Sequence, residues 1–188
     1  MPPNSPISAS PAPTPQEKAL KRVLTVSRLN GWSVIVVAGL GVLLALALGD
    51  LSSAAIGLLG VASGAMEVRG HRALKRRDVG GMKWLVRSQW FLLAVILVYC
   101  ASRLGSFDAD TVMGSLTPDM EVLLKESGVE RSDILPLVRT AFFTLYGTVA
   151  VMCLIYQGGL ALFYRNKTRL VTEALAAPPL PPTHTPLA

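Results

Sequence analysis

Five polar side chains at membrane depth carry whatever chemistry this chain has: Glu67, His71, Arg87, Gln89 and Gln157. Glu67 lies about sixteen residues from the turn at Leu51, which is roughly 24 Å along a helix. Arg87 lies about sixteen residues before Arg103, at a matching depth of roughly 24 Å on the next, antiparallel helix. Opposite charges at one depth on neighbouring helices predict an ion pair. Gln89 and Gln157 fall within about two helical turns of that level, and His71 follows Glu67 at i, i+4. Such a cluster could take an ion, a proton or a lipid headgroup, because ionisable groups inside membrane helices are often functional. It could equally be an interfacial salt bridge that fixes how two helices pair. Charges near the inner headgroups reach water at modest cost, so the structural role is the expectation.

No other pattern points to catalysis. The chain has no Gly-rich phosphate loop, no nucleophile elbow and no pair of histidines on a helix face. His71 and His184 are its only histidines, and Cys100 and Cys153, both inside apolar segments, its only cysteines. These numbers and spacings do not make a metal site. No catalytic residue, cofactor or metal is therefore expected.

Four apolar stretches must position the cluster. The expected fold is an all-α membrane protein, an antiparallel bundle of four transmembrane helices spanning about 32–49, 53–70, 82–103 and 138–164 within a domain of residues 31–170. Only 16% of the residues are charged, against roughly 25% in soluble chains. A disordered Pro-rich tail, 1–13, precedes an amphipathic juxtamembrane helix, 14–30. Thr14-Pro15-Gln16-Glu17 reads as that helix's N-cap, N1 proline and capping box, and Asn30-Gly31 as a bend into the first span. Gly49-Asp50 is a tight turn, and Val79-Gly80-Gly81 turns the chain back into the third span. An exterior loop, 104–137, carries a short amphipathic helix from Thr117-Pro118 to Gly128, and Ser132-Asp133 caps the last helix with Pro136 in its first turn. A Pro-rich tail, 171–188, closes the chain. The basic start, apolar run and Ala45-Leu46-Ala47 also resemble a cleaved secretory signal. The basic region is too long for one, however, and a second apolar run follows at once.

Charge sets the expected orientation. Of 18 Lys and Arg residues, all but Arg103, Lys125, Arg131 and Arg139 lie on one side of the four spans. The loop on the other side is acidic, with Asp108, Asp110, Asp119, Glu121, Glu126, Glu130 and Asp133. The positive-inside rule then places both termini in the cytoplasm, and a bacterial cytoplasmic (inner) membrane is the expected location. Lys18, Lys21, Arg22, Arg28, Arg69, Arg72, Lys75, Arg76, Arg77, Arg165, Lys167 and Arg169 are expected to contact anionic headgroups, at about 1 kcal/mol each. The net charge of +6 does not indicate nucleic acid, because the basic residues are juxtamembrane and lack interleaved aromatics.

Gly57, Gly60 and Gly64 permit close helix approach, either in a homo-oligomer or against the first span, which has its own Gly39 and Gly41. The adjacent span is the expected partner. The expected function is a non-catalytic structural, accessory or adaptor module, with homo-oligomerisation or an unidentified membrane partner. The alternative is a transporter or channel subunit that uses the inner polar cluster. Against it, a transporter calls for internal repeats or broken helices at mid-membrane, and the middle of each span is apolar.

Overall fold

The computed structural model describes residues 12–108 and 131–177. It contains four α-helices, α1 (Pro15–Ala47), α2 (Leu51–Lys75), α3 (Gly81–Gly105) and α4 (Arg131–Ala176), and no strand among the described residues. All four are long and apolar enough to cross a membrane. Each packs on its neighbour in sequence and α4 closes onto α1, so the helices form a ring of four. The expected exterior helix after Thr117 and residues 1–11 and 178–188 of the tails lie outside the described residues, while residues 171–176, expected in the C-terminal tail, belong to α4 with Val171 and Leu175 buried.

Helix length exceeds membrane thickness. At about 1.5 Å per residue, α1 is roughly 50 Å long and α4 roughly 69 Å, against a hydrocarbon layer of about 30 Å. The excess forms a packed stub at the basic end, where Val23, Leu74, Met82, Leu85, Tyr164, Val171 and Leu175 make the hydrophobic core. On α4 the buried residues Gln157, Ala161, Tyr164, Val171 and Leu175, with half-buried Thr168, alternate four and three apart. That spacing is the seam of knobs-into-holes helix packing. Away from the stub, large apolar side chains such as Val37, Leu40, Val98 and Ile155 are mostly exposed, which suits a lipid-facing surface.

α1 starts as its sequence indicates. Glu17 N–H bonds to Thr14 Oγ1 at 3.3 Å, and Thr14 N–H bonds back to Glu17 Oε2 at 2.9 Å. The expected bend at Asn30-Gly31 does not occur, and α1 runs unbroken from Pro15 to Ala47. Asn30 and Gly31 are both buried against α2 instead: a Cβ on Gly31 would lie 3.1 Å from Val68 Cγ2. Residues 15–30 are therefore one wall of the stub, with Ala19, Val23 and Ser27 buried, rather than a separate helix lying on the bilayer. Pro136, expected in the first turn of the last helix, lies further inside α4, which already includes Arg131.

Small residues set the helix spacing. A Cβ on Gly57 would come within 2.6 Å of Val42 Cγ2, one on Gly60 within 3.0 Å of Ala38 Cβ, and one on Gly64 within 2.7 Å of Ile35 Cγ1. All three glycines thus face α1. Gly39 and Gly41, read as the matching small residues, have nothing within 4 Å and lie off that interface. Gly70 and Gly81 bring α2 and α3 together: a Cβ on Gly81 would sit 2.6 Å from the Gly70 carbonyl oxygen.

The ends of the bundle are clasped. Asp50 caps α2 through Ser53 N–H (3.0 Å) and Ser53 Oγ (2.6 Å), and Arg103 of α3 pairs with Asp50 Oδ2 at 3.2 Å. The side chain of Arg103 also lies 5.4 Å from the Tyr99 ring centroid, beside a cluster of Tyr99, Phe107, Phe142, Phe143 and Tyr146. At the opposite end Arg77, in the left-handed region at φ 62°, donates to the Leu175 and Ala177 carbonyl oxygens. It thereby caps the C-terminus of α4, whose last turn holds no basic residue of its own.

Candidate functional site

Asn30, Gln89 and Tyr164 meet around Glu67, which is 1% exposed, whereas Gln157 is buried without a bond to it. Asn30 Nδ2 of α1 donates to Glu67 Oε2 at 2.6 Å, and the Tyr164 hydroxyl of α4 donates to Glu67 Oε1 at 2.7 Å. Gln89 of α3, also 1% exposed, lies beside the carboxylate. One residue from each helix thus enters a single knot. The Tyr156 hydroxyl extends it by donating to Asn30 Oδ1 at 3.2 Å, tying α4 directly to α1.

Two smaller bridges flank the knot. One helical turn beyond Glu67, His71 Nδ1 lies 3.1 Å from Ser27 Oγ of α1. The Ser27 hydroxyl is within 3.3 Å of the Leu24 carbonyl oxygen and can donate its one proton there. With the ring tautomer that carries its hydrogen on Nδ1, His71 donates to Ser27, and with the other tautomer it accepts from the hydroxyl. On the other side Ser63 Oγ of α2 donates to the Ser88 carbonyl of α3 at 2.8 Å.

Arg87 is not part of this arrangement. It is exposed and makes no ion pair among the described residues, so the expected pair with Glu67 does not form. The reason is azimuth rather than depth. Arg87 lies two residues from both Leu85 and Gln89, which face the interior, and two residues turn a helix by about 200°. Glu67, Gln89, Gln157 and His71 are all buried, whereas Arg87 points out of the bundle.

A typical hydrogen bond contributes about 0.5–1.5 kcal/mol net, and leaving a buried polar group without its partner costs about 1–3 kcal/mol. The knot therefore fixes the register and rotation of α1, α2 and α4, with Gln89 of α3 packed beside it. It is not saturated, since Gln89 Oε1 and Gln157 Oε1 are buried without a hydrogen-bond partner. Among the described residues no three His, Cys, Asp or Glu side chains converge as a metal-ligand set, and Cys100 and Cys153 are free thiols.

Asn30, Tyr164 and Ser27 are site residues that the sequence does not single out, Asn30 reading there only as part of a bend. A signal was present: Ala19, Val23, Ser27 and Asn30 recur at helical spacing, so the two polar residues continue an apolar stripe. Of the residues expected at lipid headgroups, all but half-buried Lys167 are exposed. Two of them also serve the fold, Arg77 at the end of α4 and Arg69, whose guanidinium lies 4.7 Å from the centroid of the Trp84 ring. Compared with known proteins, the chain matches no family model, no curated protein and no solved structure.

Proposed function

We propose that this chain is a non-catalytic, multi-pass membrane module, a structural, accessory or adaptor unit that presents its basic helical stub to anionic lipid and to a protein partner. The single observation that carries this reading is the knot at Glu67. Glu67 is 1% exposed and both its oxygens accept hydrogen bonds, from Asn30 of α1 and Tyr164 of α4, so the carboxyl at membrane depth is engaged in joining helices. The distribution of Lys and Arg supports both termini and the stub on the cytoplasmic side of the membrane. Thirteen of the fourteen basic residues at that end are exposed, which suits attraction to anionic headgroups.

A second reading, a transporter or channel subunit, draws on two observations. Glu67 has no basic partner among the described residues, and the Gln89 and Gln157 amide oxygens are unpaired. Reconstitution distinguishes the two. Purified chain in liposomes is expected to show no proton or cation flux that Glu67→Gln abolishes, and its detergent-solubilised mass is expected to reveal a fixed stoichiometry with itself or a partner. Flux that depends on Glu67 would overturn the module in favour of the transporter. Orientation is tested separately: a cysteine at Ser115 should label from outside intact cells and one at Ser5 should not.

A further inference from the structure

We infer that the groove between α1 and α2 at the basic end is a binding site for one anionic phospholipid, its phosphate held by Lys21, Arg28 and Lys75. The groove has a volume of about 780 Å³, within the roughly 300–1,000 Å³ usual for small-molecule sites. Its cations come from two helices: Lys21 and Arg28 stand seven residues apart on one face of α1, and Lys75 ends α2. Leu20, Leu24, Leu29 and Trp32 supply the apolar wall. Leu29 and Trp32 are 73% and 52% exposed, so an acyl chain can lie against them on the way into the bilayer.

The three cations are available. Among the described residues the ion pairs are Arg103 with Asp50 and Arg169 with Glu173, and none involves Lys21, Arg28 or Lys75. Glu17, the one carboxylate lining the groove, is engaged by Thr14 N–H in the capping box. His71, at the base of the groove, is fixed by Ser27. Three unpaired positive charges over an apolar wall match a phosphodiester with hydrocarbon attached, and they match neither a neutral headgroup nor a bare apolar chain. Tryptophan beside them suits the headgroup level of a bilayer. The inference rests on the proposed module only in placing the stub at a membrane surface. It survives an inverted topology, because either leaflet offers a headgroup layer.

The test is native mass spectrometry of the full chain, released from nanodiscs of phosphatidylglycerol and phosphatidylcholine mixed in equal amounts. One retained phosphatidylglycerol per chain is expected, falling at least tenfold in the Lys21→Gln, Arg28→Gln, Lys75→Gln variant. A variant with the same loss of charge outside the groove, Lys83→Gln, Arg87→Gln, Arg139→Gln, is expected to keep it. All six residues are exposed or line open surface, and unchanged thermal unfolding identifies folded variants. A second, single variant, Arg28→Gln, provides the comparison if the triple change lowers stability. Equal loss in both triple variants would overturn the site in favour of diffuse surface charge, and equal retention of phosphatidylcholine would overturn it in favour of apolar contact without charge recognition. Displacement of the lipid by millimolar inorganic phosphate would overturn the lipid assignment in favour of a soluble phosphate ligand.

Discussion

The Tyr164 hydroxyl donates to Glu67 Oε1 at 2.7 Å, joining α4 to α2 across the middle of the bundle. Both side chains are among the largest that are fully buried in the protein. The ring of Tyr164 belongs to the hydrophobic core of the stub and its hydroxyl to the polar knot. One residue therefore couples the apolar packing of the stub to the hydrogen bonds of the knot.

That coupling is measurable as a double-mutant cycle. Tyr164→Phe should lower stability in detergent by about 1–3 kcal/mol, because a buried carboxyl oxygen loses its partner. In a Glu67→Gln background the same change should cost at least about 1 kcal/mol less. Simple additivity in thermal unfolding would mean that the bond contributes nothing.

Glycine positions on α1 and α2 should respond oppositely to alanine. At Gly64 a methyl group would sit 2.7 Å from Ile35 Cγ1 and 3.0 Å from the Gly31 carbonyl oxygen, so Gly64→Ala should destabilise by about 1–3 kcal/mol through overpacking. Gly39 has open space around it, and Gly39→Ala should leave the unfolding temperature unchanged or slightly raised. Equal effects at the two sites would contradict the α1–α2 contact.

Asp50 makes stability depend on acid. Hydrogen bonds from the Ser53 side chain and backbone N–H, and then Arg103, hold its carboxyl below the ordinary value of 3.8. A group whose folded-state pKa is lowered stabilises fully above its unfolded pKa and loses that contribution as pH falls through the folded value. Unfolding temperature should therefore drop below about pH 4 in the native chain, and the Asp50→Asn variant should lose part of that drop. Parallel pH profiles for the two would show that the cap and ion pair do not contribute.

Arg77 should protect the end of α4. Arg77→Ala removes the donors to the Leu175 and Ala177 carbonyls while keeping a side chain at φ 62°. Amide exchange at residues 171–177 should accelerate several-fold with α2 unaffected, because local opening of a helix end does not require global unfolding. Unchanged exchange there would mean that the cap is not formed in solution.

Elements that depend on local sequence were legible without a fold. The four apolar helices, the turn at Gly49-Asp50 and the capping box from Thr14 to Glu17 follow from runs, breakers and short-range hydrogen bonds, and each appears in the structure. Depth along a helix was legible too, since rise per residue is constant. Rotation about the helix axis was not. Each residue advances by about 100°, so the facing of Glu67 depends on which surfaces α1, α3 and α4 press together. Close approaches at Gly31, Gly64, Gly70 and Gly81 settle those surfaces, and they turn Asn30, Gln89 and Tyr164 inward and Arg87 outward. Charge asymmetry and span number are properties of the chain itself; the partners of a buried carboxylate are decided only when four helices choose their faces.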